Sequence, residues 1–176
     1  MGRDGSRLTS PVRTRELVDS SREGFAKIVD RTGMAWASRH AAGVARARGD
    51  IAQAGELFRE SLMVYRDLGA VWGIAECLEG LATLAADACE REYAVQLFGS
   101  AAALRESGGV RLGPRARAKQ ERELNALRAA LDPSRFEAAW QVGQGLQVSE
   151  AVDGALVTRR RTDERNASRS SDGSTA

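Results

Sequence analysis

The sequence predicts an all-α fold, a short right-handed solenoid of stacked helix hairpins. Aromatic residues make up only 5% of the chain, and Ala and Leu dominate its apolar residues, a composition that suits close helix packing better than a β-rich core. Apolar residues recur at helical spacing between Gly and Pro breaks. A helix-hairpin unit also recurs after a shift of 40 residues. With 176 residues, the chain has room for one such domain.

Eight helices are expected between these breaks, the first break falling at Gly33. Asp132 is placed to cap a helix that opens with Pro133, and Ser149 is placed to cap the last helix. The expected helices span about 14–31, 34–48, 50–67, 71–87, 90–107, 114–131, 133–145 and 149–157.

The two ends of the chain differ in composition from its middle. Residues 1–20 and 158–176 are rich in Arg, Ser, Thr, Asp and Gly and poor in large apolar groups. Such segments cannot bury enough surface to offset the entropy of ordering, so both are expected to be disordered. The helical-repeat domain is therefore expected to span residues 21–157.

The internal repeat identifies a candidate core. Each unit has a turn and a second helix that carries Ala, then Leu and Phe three and four residues later. Small Ala residues allow close helix approach, and the Phe residues fill the gap to the next helix. The matching positions are Ala54, Leu57 and Phe58 in one unit and Ala94, Leu97 and Phe98 in the next.

These residues resemble the tetratricopeptide repeat. The Gly49–Asp50 turn, Ala54, Phe58 and Leu62 match that family's second-helix motif, and Cys89 takes the turn-glycine position in the next unit. In a solenoid of such hairpins, the first helix of each unit lines a groove, here residues 34–48 and 71–87. The candidate residues for binding a protein or peptide partner there are Arg39, His40, Arg46, Glu76 and Glu79.

A second resemblance covers residues 49–156. It rests on the runs Leu57–Leu62, Tyr65–Gly69, Trp72–Ala75, Leu78–Ala82, Leu97–Ala101 and Ser149–Val152, together with Phe136 and Trp140. These runs are similar to the C-terminal repeat region of actinobacterial LuxR-type and related ATPase-containing transcriptional regulators. The resemblance implies a sensory or interaction role. The chain has no phosphate loop and no identifiable DNA-reading helix-turn-helix, so the family's ATPase and DNA-binding activities do not carry over.

No catalytic, metal or cofactor site is predicted, so the chain is not expected to be an enzyme. His40 is the only histidine and has no ligand at metal spacing. Cys77 and Cys89 are not a C-x-x-C pair and are interpreted as buried small residues. The glycine-rich loop 108–113 is followed by Pro where a phosphate loop needs Lys. The three tryptophans are expected to pack in the core: Trp36, Trp72 and Trp140.

The distribution of charge leaves contact with nucleic acid open as an alternative. The net charge is only +2, which lacks the strong basic field of a dedicated nucleic-acid binder. Two basic stretches could nevertheless contact nucleic acid, although acidic residues interrupt both. They comprise Arg111, Arg115, Arg117, Lys119 and Arg122, and then Arg159, Arg160, Arg161 and Arg165.

Two functions follow from these observations. The first is a non-catalytic scaffold for protein–protein interaction, for example as the sensory or interaction part of a regulator. The alternative is a remnant or subunit of a transcription regulator that contacts DNA, or a DNA-bound protein, through the basic stretches. No apolar stretch is long enough to span a membrane and no secretion signal is visible, so a cytoplasmic location is expected. The oligomeric state stays open.

Overall fold

The computed structural model describes the backbone of residues 11–157 and the side chains of residue 24 and residues 27–157. Within this range the chain forms seven helices and no strand, which confirms the all-α prediction. None of these helices combines the length and apolar character needed to cross a bilayer. The helices are α1 (Pro11–Ala47), α2 (Ile51–Asp67), α3 (Val71–Asp87), α4 (Arg91–Ser107), α5 (Pro114–Ala130), α6 (Pro133–Gly145) and α7 (148–157).

The expected break at Gly33 is wrong. Helix α1 runs through this glycine for 37 residues. A glycine inside a helix costs only about 1 kcal/mol relative to Ala, so it does not end a helix without a proline or a competing cap. The backbone of residues 11–20, expected to be disordered, is already helical, while residues 1–10 and the predicted tail 158–176 lie outside the described residues.

The two predicted helix caps have different outcomes. The Asp132 side chain accepts a hydrogen bond from the backbone N–H of Ser134 at 2.8 Å, which confirms it as the cap of α6. The prediction for Ser149 is wrong, because α7 begins one residue before it. Gln147 stands at the cap position instead, and the Glu150 carboxylate reaches back to accept from its N–H at 2.9 Å.

Four turns with the same geometry set the spacing of the first helices. A residue with positive φ follows each of α1 to α4 at intervals of 20 residues: Gly49, Gly69, Cys89 and Gly109. In every turn this residue donates to the carbonyl three positions back, and the next residue donates to the carbonyl five positions back. This is the left-handed C-terminal cap that glycine usually provides. Helices α2, α3 and α4 consequently each contain 17 residues.

Helix pairs build one continuous core. Helix α1 packs along α2, α3 packs along α4, and α6 packs closely on α4. Two α2 rings lie directly on glycines of α3, Phe58 on Gly80 and Tyr65 on Gly73, where a Cβ atom would overlap the ring. Among the repeat residues, Leu57 is half-buried and the others are buried: Ala54, Phe58, Ala94, Leu97 and Phe98.

Helix α7 folds back onto the second helices of the first two pairs. The side chains of Ala151, Val152 and Ala155 are buried. Arg59 of α2 donates to the carbonyl of Ala155, and the hydroxyl of Tyr93 of α4 lies 3.4 Å from the carbonyl of Gly154. The segment that follows α6 therefore bridges the outer sides of α2 and α4.

Candidate partner-binding surface

Helices α1, α3 and α5 are joined side by side through polar contacts with nearly constant sequence offsets. Arg46 contacts Asp87 41 residues later, and Thr83 contacts Glu123 40 residues later. Constant offsets mean that the three helices run in the same direction. Their solvent-facing sides form one surface, here called the α1–α3–α5 surface, which includes Trp36, Arg39, His40, Arg46, Trp72, Glu76, Glu79, Asp87, Gln120 and Glu123.

Arg46 and Glu79, both predicted as partner-binding residues, are held in hydrogen-bonded ion pairs within the chain. Arg46 binds Asp87 through two hydrogen bonds of 2.7 and 3.0 Å. Glu79 accepts two from Arg105 of α4, at 2.8 and 3.0 Å, and a third from Gln120 of α5 at 3.1 Å. Their charges are thus largely neutralised before any partner arrives.

Arg39, His40 and Glu76, also predicted, lie together at one end of this surface. The Arg39 Nε atom lies 3.2 Å from the Glu76 Oε2 atom, and the two side chains are 18% and 32% exposed. This contact is an ion pair but not a hydrogen bond, because neither atom has a hydrogen-bonding partner among the described residues. The buried hydroxyl of Tyr65 has none either. Three buried polar atoms at this end of the surface therefore have unused hydrogen-bonding capacity.

His40 extends this cluster without adding charge. Its Nε2 atom lies 3.0 Å from an Arg39 Nη2 atom. Burial and the positive charge of Arg39 lower the pKa of His40, so the imidazole is neutral at pH 7. The cluster of Arg39, His40 and Glu76 consequently carries no net charge.

Two exposed indoles flank the cluster, in contrast to the expectation that the tryptophans fill the core. Trp36 is 52% exposed and lies 4.0 Å from the ring of His40, centroid to centroid. Trp72 is 37% exposed and lies 5.0 Å from Tyr65. Small residues already fill the space between the helices, Ala35 and Ala42 on α1, which leaves the indoles outside. Helical phase contained this signal, since Trp36 is out of phase with Ala35 and Ala42.

Trp140 does pack against the core, beside an open cleft between α5 and α6. The cleft has a volume of about 350 Å³ and is lined by Arg128, Pro133, Phe136, Glu137 and Trp140. Phe136 and Trp140 stack with an angle of 10° between their rings, and Arg128 lies 4.9 Å above Phe136. Its aromatic wall is thus already covered in part by the chain's own guanidinium group.

The two cysteines occupy different environments. Cys77 is buried, and burial raises the pKa of its thiol to about 12. Cys89 is exposed, so the interpretation of it as a buried residue is wrong. Its place at the left-handed position of a turn puts the side chain outside the helix pair.

The first basic stretch, in α5 and the loop before it, is exposed to solvent. Lys119 pairs with Glu123 at 3.8 Å. The other four members have no ion-pair partner among the described residues: Arg111, Arg115, Arg117 and Arg122. The second stretch, Arg159 to Arg165, lies outside the described residues.

Within the described side chains, no group of three or more His, Cys, Asp or Glu residues is placed to hold a metal ion. Comparison with protein-family models, curated proteins and solved structures finds no match.

Proposed function

We propose that the protein is a non-catalytic scaffold of the helical-repeat type that holds a protein or peptide partner on its α1–α3–α5 surface. One observation carries this proposal: the exposed indoles Trp36 and Trp72 flank a charge cluster that is neutralised within the chain. Large exposed aromatic groups are typical of the centres of protein interfaces, where they supply contact area at low entropic cost.

The chemistry of the cluster indicates what the partner presents. Arg39 and Glu76 cancel each other's charge, and His40 is neutral. A strongly charged partner would gain little there and would compete with the existing ion pair. The surface is therefore suited to an uncharged segment with apolar or aromatic side chains, which buries the two indoles.

The helix arrangement supports a solenoid of tetratricopeptide-like hairpins. The shared direction of α1, α3 and α5 and the identical turns after α1 to α4 fit stacked hairpins with a 40-residue repeat. A role as the interaction part of a regulator agrees with the resemblance to LuxR-type regulators.

A peptide-display selection against the immobilised chain tests this function. Binders selected on the native protein should lose at least tenfold in affinity for Trp36→Ala and Trp72→Ala. The matched control is Met63→Ala on α2, another exposed apolar side chain, which should bind normally. Circular dichroism of each variant verifies that its helices are intact. Selected peptides that bind all four proteins equally would contradict the proposal.

The alternative function is contact with DNA through α5. It is favoured by four exposed arginines without an ion-pair partner among the described residues: Arg111 in the loop before α5, and Arg115, Arg117 and Arg122 on α5. Helix α5 itself packs only lightly on its neighbours. Phosphate contacts make DNA affinity strongly salt-dependent. We expect a mobility shift of a DNA duplex that weakens between about 50 and 200 mM salt and is lost in Arg115→Glu/Arg122→Glu. A shift that ignores salt, or no shift at all, would exclude this function.

A further inference from the structure

One side of α1 carries a second pattern that the core does not use. Six residues at alternating spacings of four and three lie on it, from Asp30 to Arg48. This is the 3.5-residue average of a coiled-coil seam. The residues, here called the α1 seam, are Asp30, Met34, Ala37, Ala41, Val44 and Arg48.

Every residue of the α1 seam is exposed, including Met34 at 57% and Val44 at 52%. Arg48 still belongs to the helical turn, because its N–H donates to the carbonyl of Val44 at 3.1 Å. The core contacts of α1 come from a different side, through Ala35, Ala42 and Ala45. The seam is thus an additional apolar stripe with one charge at each end.

The α1 seam is symmetric about Arg39. Asp30 and Arg48 are equally far from Arg39, as are Met34 and Val44, and Ala37 and Ala41. A two-fold axis at this point would place each residue against the matching one of an antiparallel copy. Asp30 would then face Arg48 of the second copy, and neither residue has an ion-pair partner among the described residues.

We propose that the protein forms a symmetric dimer in which the α1 seams of two copies pair in antiparallel fashion. An interface with two-fold symmetry must be self-complementary, and the seam meets this condition in size and in charge. Ala37 and Ala41 at the centre allow close approach, and Met34 packs on Val44 of the second copy. A parallel arrangement would instead bring Asp30 onto Asp30 and Arg48 onto Arg48.

The length of the seam sets the expected strength. From Asp30 to Arg48 an α-helix rises about 27 Å. One helix face of this length buries less surface than a standard stable interface, so a dimer with a dissociation constant in the micromolar range is expected. Because the seam and the α1–α3–α5 surface use different sides of α1, this inference is independent of the proposed partner binding.

Charge reversal tests the pairing. Sedimentation of the full chain between about 1 and 200 μM should show a reversible monomer–dimer equilibrium, the range being set by the micromolar expectation. Asp30→Arg and Arg48→Asp should each weaken dimerisation at least tenfold, and the double variant should restore it. Glu121→Arg on α5 is the matched control and should change nothing. Monomers at all concentrations, or single reversals without effect, would overturn the proposal.

Disulfide trapping tests the direction of the two helices. In a Cys89→Ser background, Met34→Cys combined with Val44→Cys should form a covalent dimer under mild oxidation. Met34→Cys alone should not, because in the antiparallel pair the two copies of this position lie about 15 Å apart along the axis. Efficient cross-linking of the single variant would mean a parallel pair and would refute the proposed arrangement.

Discussion

Glu79 of α3 and Arg105 of α4 bind each other through two parallel hydrogen bonds, with side chains only 19% and 9% exposed. Gln120 of α5 adds a third hydrogen bond to the same carboxylate. This carboxylate therefore links three helices. The contribution of this ion pair to the stability of the fold is the gain from pairing the two charges minus the cost of burying them.

Removing only the cation should destabilise the protein strongly. In Arg105→Met, the carboxylate of Glu79 keeps its buried position without its main partner, and a loss of about 3 kcal/mol is expected. The double variant Glu79→Leu/Arg105→Met removes both charges and should recover most of this loss. Urea denaturation of the three proteins measures the effect. A double variant no more stable than Arg105→Met would contradict the explanation by charge pairing.

Burial also makes the stability depend on pH through Glu79. Burial raises the pKa of Glu79 above its ordinary value of 4.5, more than Arg105 lowers it. A raised pKa in the folded state gives a contribution to stability that is complete below about pH 4.5 and is lost as the pH rises through the folded pKa. The difference in unfolding free energy between native protein and Glu79→Gln should therefore fall as the pH rises.

Denaturation curves between about pH 4 and pH 7.5 measure this difference, because protonation of carboxylates changes over this range. Other carboxylates titrate in both proteins and cancel when the curves are subtracted. The unfolding free energy of Arg105→Met should fall more steeply with pH than that of the native protein, since the lost cation no longer opposes the rise in the pKa of Glu79. A difference that grows with pH would mean that the ion pair outweighs burial.

Cys89 holds a backbone conformation that glycine adopts without strain. Its φ of 63° matches those of Gly69 and Gly109 in the equivalent turns, at 62° and 63°. A side chain in this region costs about 1 kcal/mol, so Cys89→Gly should stabilise the protein by about that amount. Gly69→Ala is the reciprocal control and should destabilise it to a similar extent. Thermal melts of the two variants should shift in opposite directions.

How far the sequence predicts the structure depends on the kind of signal. The Gly49 and Gly69 breaks and the Asp132–Pro133 start are local rules, and the structure follows them. Gly33 looks like Gly49 in the sequence but lies inside α1, because no competing cap accompanies it. The partners of Glu79 could not be predicted, because Arg105 and Gln120 meet it only after three helices have packed. The exposure of Trp36, by contrast, could have been predicted, because Trp36 is out of helical phase with the buried Ala35 and Ala42.

Helices α4 and α6 cross so closely that Gly99 and Gly143 have no room for a side chain. A Cβ atom on Gly143 would lie 2.1 Å from the carbonyl oxygen of Gln96, and one on Gly99 would lie 2.6 Å from that of Trp140. Ser100 joins the helices there by donating to the carbonyl of Gly143 at 2.9 Å. Gly143→Ala should therefore cost about 2 to 3 kcal/mol by forcing the helices apart.

Gly145 provides the matched control in the same helix. No atom of the described residues lies within 4 Å of a Cβ atom there, so Gly145→Ala should be neutral or slightly stabilising because of the higher helix propensity of Ala. Chemical denaturation separates the two variants. Equal stability of Gly143→Ala and the native protein would show that α6 does not approach α4 so closely.

The two thiols should differ in reactivity. Only the thiolate reacts readily with alkylating agents, and burial of Cys77 both blocks access and raises its pKa to about 12. Cys89 is exposed, so the reagent can reach its thiol. Brief treatment of the native protein with iodoacetamide at pH 8 should modify Cys89 alone, and treatment in urea should modify both. Peptide mass spectrometry identifies the modified site, and Cys89→Ser should leave the native protein almost unmodified. Rapid labelling of Cys77 in the folded Cys89→Ser variant would instead mean that α3 opens readily from its packing against α2 and α4.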